Sequence, residues 1–200
     1  MVEGRSERIG VFGGTFDPPH VGHLTIACQV IGVLNLDRLL LVVAGDPWQK
    51  SAVRSVTPAE HRFAMVQAAV ERHPAVEVSR IEIERDGPSY MVETLDALTA
   101  MHPEAEFFLI IGSDAVPGLS TWHDSTRLRE QSTLVIVQRP DSQHTPPPEG
   151  WRHVMVDLGA EPVASSEVRQ RVADGLSIVG MVPDAVIDTI ASLGLYREGQ

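Results

Sequence analysis

Short runs of apolar residues alternate along the chain with longer segments whose apolar positions recur every three or four residues. The runs have the length of strands, and their near-continuous apolar character is typical of strands covered on both faces. They predict strands at 9–12, 38–44, 76–79, 106–111, 133–138 and 153–157. The periodic segments predict helices at 20–34, 57–72, 90–101, 165–174 and 183–192. Thr57-Pro58-Ala59-Glu60 supplies an N-cap, a proline at the first helical position and a capping-box glutamate for the second of these helices.

This alternation predicts an α/β fold in which a parallel sheet carries helices on both faces, a doubly wound, Rossmann-like arrangement. Two hundred residues suffice for one such domain, and we expect a single domain over 1–200 with a helical C-terminal part from about residue 165. Ligands of doubly wound sheets bind beyond the carboxyl ends of the strands. The most informative polar segments of this chain follow predicted strands.

The first of them is Gly13-Gly14-Thr15-Phe16-Asp17-Pro18-Pro19-His20-Val21-Gly22-His23. Its glycines allow the backbone to approach a ligand closely, and a helix start favours an anion through its N–H groups and dipole. His20 and His23 are three residues apart and share one face of that helix start. The pattern therefore predicts a phosphate site with two imidazole donors. The competing interpretations are a plain turn followed by two surface histidines, and a metal site, which lacks a third protein ligand nearby.

Three further residues near predicted strand ends have two interpretations each. Lys50, in Asp46-Pro47-Trp48-Gln49-Lys50, is either a solvated lysine of a turn or a point charge that reaches a ligand phosphate. Asp114, in Gly112-Ser113-Asp114, either caps a helix or contacts a ribose hydroxyl or a phosphate-bound metal ion. Trp122 is by default a core residue, but an indole near strand ends is also a stacking surface for a heteroaromatic ring.

The segment Ser165-Ser166-Glu167-Val168-Arg169 begins a predicted helix near the end of the chain. Serines at this position cap a helix, which alone would explain them. Arg169 lies one turn further along, so the same helix end offers hydroxyls, N–H groups and a guanidinium suited to phosphate. We expect Arg169 to face His20 and His23 across one groove, so that the three side chains converge on a polyphosphate.

Composition narrows the class of protein. The formal net charge of −11 disfavours general binding to nucleic acid, whose phosphates would be repelled. Cys28 is the single cysteine, which excludes an intrachain disulfide, and its place in an apolar helical pattern predicts a core position rather than a nucleophile. No apolar stretch reaches the ~18 residues of a membrane span, and the N-terminus lacks a signal-peptide pattern. We expect a cytoplasmic enzyme or binding protein without nucleic-acid or membrane partners, and a homo-oligomer is left open.

These segments, in this order, resemble the bacterial nicotinate-mononucleotide adenylyltransferases of the HxGH nucleotidyltransferase superfamily over nearly the whole chain. The opening segment is similar to the family's Gly-Gly-Thr-Phe-Asp-Pro-x-His-x-Gly-His. Residues 87–95 are similar to its Pro-Ser-Tyr-Thr-x-x-Thr-Leu, and residues 163–169 correspond to its Ile-Ser-Ser-Thr-x-x-Arg. Gly112-Ser113-Asp114 and Thr121-Trp122 match its Gly-x-Asp and Thr-Trp.

The resemblance implies transfer of an adenylyl group from ATP to nicotinate mononucleotide, giving deamido-NAD and pyrophosphate, with Mg²⁺ carried by the ATP phosphates. The implied catalytic residues are His20, His23 and Arg169. The implied ATP-binding residues are Gly13, Thr15, Phe16, Gly112, Asp114, Ser165 and Ser166. The implied mononucleotide-binding residues are Lys50, Thr94, Trp122 and Arg139. Thr94 would help to present backbone donors to the nicotinate carboxylate, and Trp122 would stack on the pyridine ring.

The chain departs from the family pattern at three places and leaves two alternatives open. Ala164 replaces a serine, Met91 replaces a threonine, and Trp48-Gln49 replaces Pro-His before Lys50. A phosphopantetheine adenylyltransferase shares the first and last motifs but should lack the Pro-Ser-Tyr and Thr-Trp segments. A nucleotide-binding sensor that has lost activity is the alternative from another class, and the retained histidines and Arg169 argue against it.

Overall fold

A computed structural model describes residues 5–47, 55–138, 146–159 and 163–197 of the chain. Its strands are β1 (Arg8–Gly14), β2 (Arg38–Val43), β3 (Val76–Ser79), β4 (Glu106–Gly112), β5 (Ser132–Gln138) and β6 (His153–Asp157). Its α-helices are α1 (Val21–Leu34), α2 (Ala59–Val70), α3 (Met91–Met101), α4 (Ser125–Gln131), α5 (Ser165–Ala173) and α6 (Asp184–Leu193). A 3₁₀-helix occupies Ser113–Thr121. No helix in these ranges has the length and hydropathy needed to cross a bilayer.

The six strands form one sheet in the order β3-β2-β1-β4-β5-β6, and each neighbouring pair is parallel. The chain winds outward from β1 in one direction and then, from β4 onward, in the other, so the order reverses between β1 and β4. Such a reversal opens a crevice at the carboxyl ends of the two central strands, where ligands of doubly wound folds bind. The predicted fold class is confirmed.

Side chains of each strand alternate between two apolar layers, as the pleat of a strand requires. Leu39, Leu41 and Val43 of β2 pack in the layer that contains α1, α2, α5 and α6. Leu40 and Val42 pack in the opposite layer, under α3, the 3₁₀-helix and α4. Burial on both faces explains why the strands are near-continuous apolar runs in the sequence.

Every predicted strand and helix is present, with ends within about two residues of the prediction. The 3₁₀-helix and α4 were not predicted, because the first contains Pro117 and the second spans only seven residues. The predicted capping box of α2 is wrong. Pro58 is the N-cap without a side-chain hydrogen bond, and the Glu60 carboxylate instead accepts from Arg80 at 2.8 Å.

The predicted core position of Cys28 is also wrong. Cys28 is exposed on α1, and its Sγ lies 3.4 Å from His73 Nδ1. The helix buries Gly22, Leu24, Ala27 and Val30, so its core-facing stripe passes beside Cys28. Because apolar residues also flank the buried stripe of α1, the sequence predicted a wider buried face than the helix has.

Candidate active site

A cavity of about 930 Å³ opens at the carboxyl edge of the sheet, where β1 and β4 lie side by side. It combines parts of the chain that are far apart in sequence: the segment after β1, the ends of β4 and β5, the 3₁₀-helix and the start of α5. Eleven of the fourteen predicted site residues line it: Gly13, Thr15, Phe16, His20, His23, Gly112, Asp114, Trp122, Ser165, Ser166 and Arg169.

His20 and His23 are stacked at the start of α1, with ring centroids 3.7 Å apart. The backbone N–H of His20 donates to His23 Nδ1 at 3.2 Å. Because a backbone N–H can only donate, Nδ1 must act as the acceptor, and the neutral ring then carries its proton on Nε2. His23 is thereby fixed in the tautomer that donates through its far nitrogen.

The start of α1 contributes fewer backbone donors than a bare helix end would. The Val21 N–H donates to the Met181 carbonyl at 2.9 Å, and the His23 N–H donates to the His20 carbonyl at 3.0 Å. Two of the first three N–H groups are therefore used inside the protein. An anion at this helix end would depend mainly on Gly22, the helix dipole and the imidazoles.

Phe16 lies in the turn before α1 and adopts a left-handed backbone conformation there. Its φ of 49° lies in the left-handed region, which is costly for a bulky residue. The ring is buried and meets His23 edge to face, with centroids 5.0 Å apart. A side chain at Gly14 would collide with the Phe16 ring, so the glycine in the turn is required for this packing. The turn and the imidazole are thus positioned together.

The start of α5 is tied to the turn between β1 and α1 by two hydrogen bonds. Arg169 donates from a terminal guanidinium nitrogen to the Asp17 carbonyl at 2.7 Å, and Ser165 Oγ donates to the Pro18 carbonyl at 2.9 Å. These bonds bring the guanidinium and both imidazoles to the same cavity although they are almost 150 residues apart in sequence. The predicted convergence of His20, His23 and Arg169 is present in the structure.

Aromatic side chains form another part of the cavity wall. Tyr90 and His123 stack with centroids 4.3 Å apart and an interplanar angle of 20°. Trp122, at the end of the 3₁₀-helix, is partly buried and lines the cavity beside them. We call the part that holds Arg169, the two imidazoles and the hydroxyls of α5 the cationic end, after its guanidinium, and the part that holds Tyr90, Trp122 and His123 the aromatic end.

The remaining three predicted site residues do not line the cavity in the described part of the chain. Lys50 and Arg139 lie outside the described residues. Thr94 is fully buried behind the wall: its backbone N–H donates to the Tyr90 carbonyl at 3.2 Å, and its hydroxyl donates to Glu82 at 2.6 Å. Any contribution of Thr94 to acceptor binding is therefore indirect.

Arg62 is a site-supporting residue that the sequence analysis missed. Its side chain is 1% exposed and donates to three backbone carbonyls, those of Thr57 at 2.7 Å, Thr15 at 2.9 Å and Gly45 at 3.3 Å. The three carbonyls belong to the segments after β1, after β2 and before α2. One buried guanidinium thus ties together the segments that form this side of the cavity.

Asp17 and Tyr196 form a second buried link, which the sequence pattern does not predict. Tyr196 Oη donates to Asp17 Oδ1 at 2.7 Å, and Asp17 is only 2% exposed. Burial, followed by the negative charge of Asp17, raises the pKa of the Tyr196 hydroxyl. The C-terminal segment after α6 therefore holds the turn that carries His20.

We expect Tyr196→Phe to lower the free energy of unfolding by about 1–3 kcal/mol at neutral pH, because a buried carboxylate oxygen loses its donor. The raised pKa means that folding favours the neutral phenol. Its contribution is present below the ordinary tyrosine pKa of about 10 and is lost as pH rises above it.

Urea unfolding at pH 7 and above pH 10 measures both effects, with Tyr90→Phe, which changes the other tyrosine, as the control. The stability difference between the wild type and Tyr196→Phe should shrink at the higher pH. Equal stability at pH 7, or a difference that does not change with pH, would contradict the assignment.

The family model for cytidylyltransferase-like proteins matches residues 11–171 of the chain. This span includes the segment after β1, the aromatic end of the cavity and Arg169.

Curated relatives match nearly the full length. A probable nicotinate-nucleotide adenylyltransferase of Gemmatimonas aurantiaca is 43% identical over 198 residues, covering 96% of this chain and 93% of the relative. A protein of the same description from Corynebacterium kroppenstedtii is 42% identical over 192 residues, covering 94% and 90%. Among solved structures, nicotinic acid mononucleotide adenylyltransferase of Plasmodium falciparum complexed with NaAD superposes with a TM-score of 0.77 at 18% identity, covering 95% of this chain and 97% of that one. At that identity the superposition shows the shared fold.

Proposed function

Because the chain belongs to the nicotinate-nucleotide adenylyltransferase family of nucleotidyltransferases, we propose that its cavity transfers the adenylyl group of ATP to nicotinate mononucleotide and releases pyrophosphate. The observation that supports this most strongly is the convergence of His20, His23 and Arg169 on one cavity whose other end is aromatic. Phosphates and a planar heteroaromatic ring are the two features that the substrates would bring to it.

The cationic end suits the triphosphate of ATP. The Arg169 guanidinium matches the geometry of phosphate oxygens, and His23 donates through Nε2 in the tautomer that the His20 N–H selects. Ser165 and Ser166 add hydroxyls at the start of α5. We place the adenosine against Gly112 and Asp114, with Gly13, Thr15 and Phe16 along the groove.

The aromatic end suits the acceptor. Trp122, Tyr90 and His123 offer flat surfaces for stacking on a pyridine ring. With the ring at this end, the phosphate of the mononucleotide points toward the triphosphate. Lys50 and Arg139 are proposed to meet that phosphate.

The reaction needs no nucleophile from the protein. A phosphate oxygen of the mononucleotide attacks the α-phosphorus of ATP, a new phosphorus–oxygen bond forms, and the bond from the α-phosphorus to the bridging oxygen of pyrophosphate breaks. The electron pair leaves on pyrophosphate, where His20, His23 and Arg169 neutralise the developing charge. Alignment of two bound reactants can supply about 7–11 kcal/mol of the acceleration.

We propose that Mg²⁺ enters on the ATP phosphates, where it supplies charge neutralisation and keeps several waters. Within the described ranges no group of three histidine, cysteine, aspartate or glutamate side chains is arranged to hold an ion. A single carboxylate such as Asp114 at the cavity wall is compatible with an ion held largely by phosphate. The residues therefore fit a metal that is delivered by the substrate.

A coupled assay of pyrophosphate release tests the proposal, with nicotinate mononucleotide, nicotinamide mononucleotide and phosphopantetheine as parallel acceptors. We expect turnover with nicotinate mononucleotide and the highest kcat/KM for it. Preference for phosphopantetheine would replace the proposed acceptor. ATP binding without pyrophosphate release with any of the three would instead indicate a sensor.

A further inference from the structure

Glu82 is a buried acid on the cavity wall that the proposed reaction does not use. Its side chain is 4% exposed, and it lines the cavity beside Ser89 and Tyr90. Thr94 Oγ1 donates to Glu82 Oε1 at 2.6 Å, and the Ser89 hydroxyl also donates to the carboxylate. Burial raises the pKa of Glu82, and these two hydroxyls, followed by Arg85, oppose the rise. A carboxyl group at this depth is retained in a protein only when such partners compensate for its burial.

Ser89 connects Glu82 to the segment that follows β2. Its hydroxyl has one proton, which goes to Glu82, while the oxygen accepts from the Asp46 N–H at 3.2 Å. The Ser89 N–H donates in turn to the Asp46 carbonyl at 3.1 Å. Both the side chain and the backbone of Ser89 are therefore fixed, with Glu82 on one side and Asp46 on the other.

The backbone of Glu82 is held as closely as its side chain. A side chain at Gly45 would collide with the Glu82 carbonyl oxygen, so the segment after β2 lies directly against residue 82. The next residue after Ser89 is Tyr90, whose ring stacks on His123 at the aromatic end. A continuous set of contacts thus runs from Glu82 through Ser89 to the aromatic rings.

We propose that Glu82 is a positioning residue for the acceptor: through Ser89 it fixes Tyr90, and so sets the affinity of the aromatic end for the mononucleotide without affecting ATP. The inference rests on the proposed function. It also explains how Thr94 acts from behind the wall, because Thr94 anchors the same carboxylate. No contact between Glu82 and substrate is required.

Glu82→Gln tests the proposal with nearly the same shape. The substitution removes the charge and leaves one neutral carbonyl oxygen where the carboxylate has two charged ones, so the bonds from the Ser89 and Thr94 hydroxyls are weakened. We expect KM for nicotinate mononucleotide to rise about tenfold, while kcat and KM for ATP stay within about twofold. Glu84→Gln is the matched control, because Glu84 is exposed and pairs with Arg80 at 3.2 Å.

A second pair of variants changes Thr94, the other residue whose hydroxyl donates to the Glu82 carboxylate. Thr94→Val removes the hydroxyl with little change of volume, and Thr94→Ser retains it. We expect Thr94→Val to reproduce the rise in KM for the mononucleotide and Thr94→Ser to behave like the wild type. An unchanged KM for the mononucleotide in Thr94→Val would overturn the proposal even where Glu82→Gln does not fold.

Three results would overturn the inference while leaving the proposed function intact: an unchanged KM for the mononucleotide, equal rises in KM for both substrates, or a fall in kcat alone. A wild-type protein that releases no pyrophosphate with any acceptor would reject the proposed function, and this inference with it.

Discussion

His23→Ala is expected to lower kcat by about 10²–10³-fold, the cost of removing one preorganised donor from developing transition-state charge. The His20 N–H bond to Nδ1 fixes the His23 ring so that Nε2 donates. This donor is already oriented before substrate binds, so no free energy is needed to reorient it during the reaction. His20→Ala should have an effect of the same order, because the two rings are stacked at 3.7 Å and line the same cavity.

Single-turnover and steady-state pyrophosphate release measure these effects, and urea unfolding shows whether the variants remain folded. His23→Asn separates the two roles of the ring, since its side-chain oxygen can accept from the His20 N–H but it has no distal donor. We expect the asparagine variant to be as slow as the alanine variant. His153→Ala, at an exposed strand position, is the control. Near-normal kcat in both His20→Ala and His23→Ala would remove the proposed role of the imidazoles.

The parts of this site that could be predicted from sequence are those whose local pattern is tied to one backbone geometry. A glycine pair after an apolar run, followed by two histidines three residues apart, specifies a strand, a turn and a helix start together. The same holds for the serines and Arg169 at the start of α5. The parallel sheet then brings both segments to one edge, since the carboxyl ends of parallel strands lie together.

Arg62 and Glu82 were not predicted, because charged side chains are normally exposed. A buried charged residue can be recognised in a single sequence only where the packing of its neighbours implies it. Arg62 did carry a signal. It lies on the same helix stripe as Met65, Val66 and Ala69, which are buried. A cation on an apolar stripe indicates a guanidinium that bonds inside the protein.

Glu82 carried a weaker signal of the same kind. It stands between Ile81 and Ile83, in a segment that the structure shows as a turn rather than a strand. Its burial results from the approach of the segment after β2, a long-range contact that local pattern does not contain. The 3₁₀-helix and the location of Thr94 behind the wall depend on tertiary packing in the same way.

Arg62→Met is expected to lower the free energy of unfolding by at least about 3 kcal/mol. Removing the donor of one buried acceptor costs about 1–3 kcal/mol, and Arg62 serves the carbonyls of Thr57, Thr15 and Gly45. Methionine restores apolar volume and removes the cost of burying a charge, but it has no N–H group to give. The loss is a large part of the roughly 5–15 kcal/mol by which domains are stable.

Urea unfolding measures the loss, with Arg72→Met, at an exposed position just after α2, as the matched control. Arg62→Lys retains the positive charge, but a lysine ammonium lacks the planar fork that reaches three carbonyls at once. We expect the lysine variant to recover only part of the stability. Full recovery by lysine would show that charge, rather than the directed hydrogen bonds, is what this position supplies. Because the Thr15 carbonyl belongs to the turn that leads to His20 and His23, ATP affinity of the folded fraction should fall in both Arg62 variants and stay unchanged in Arg72→Met.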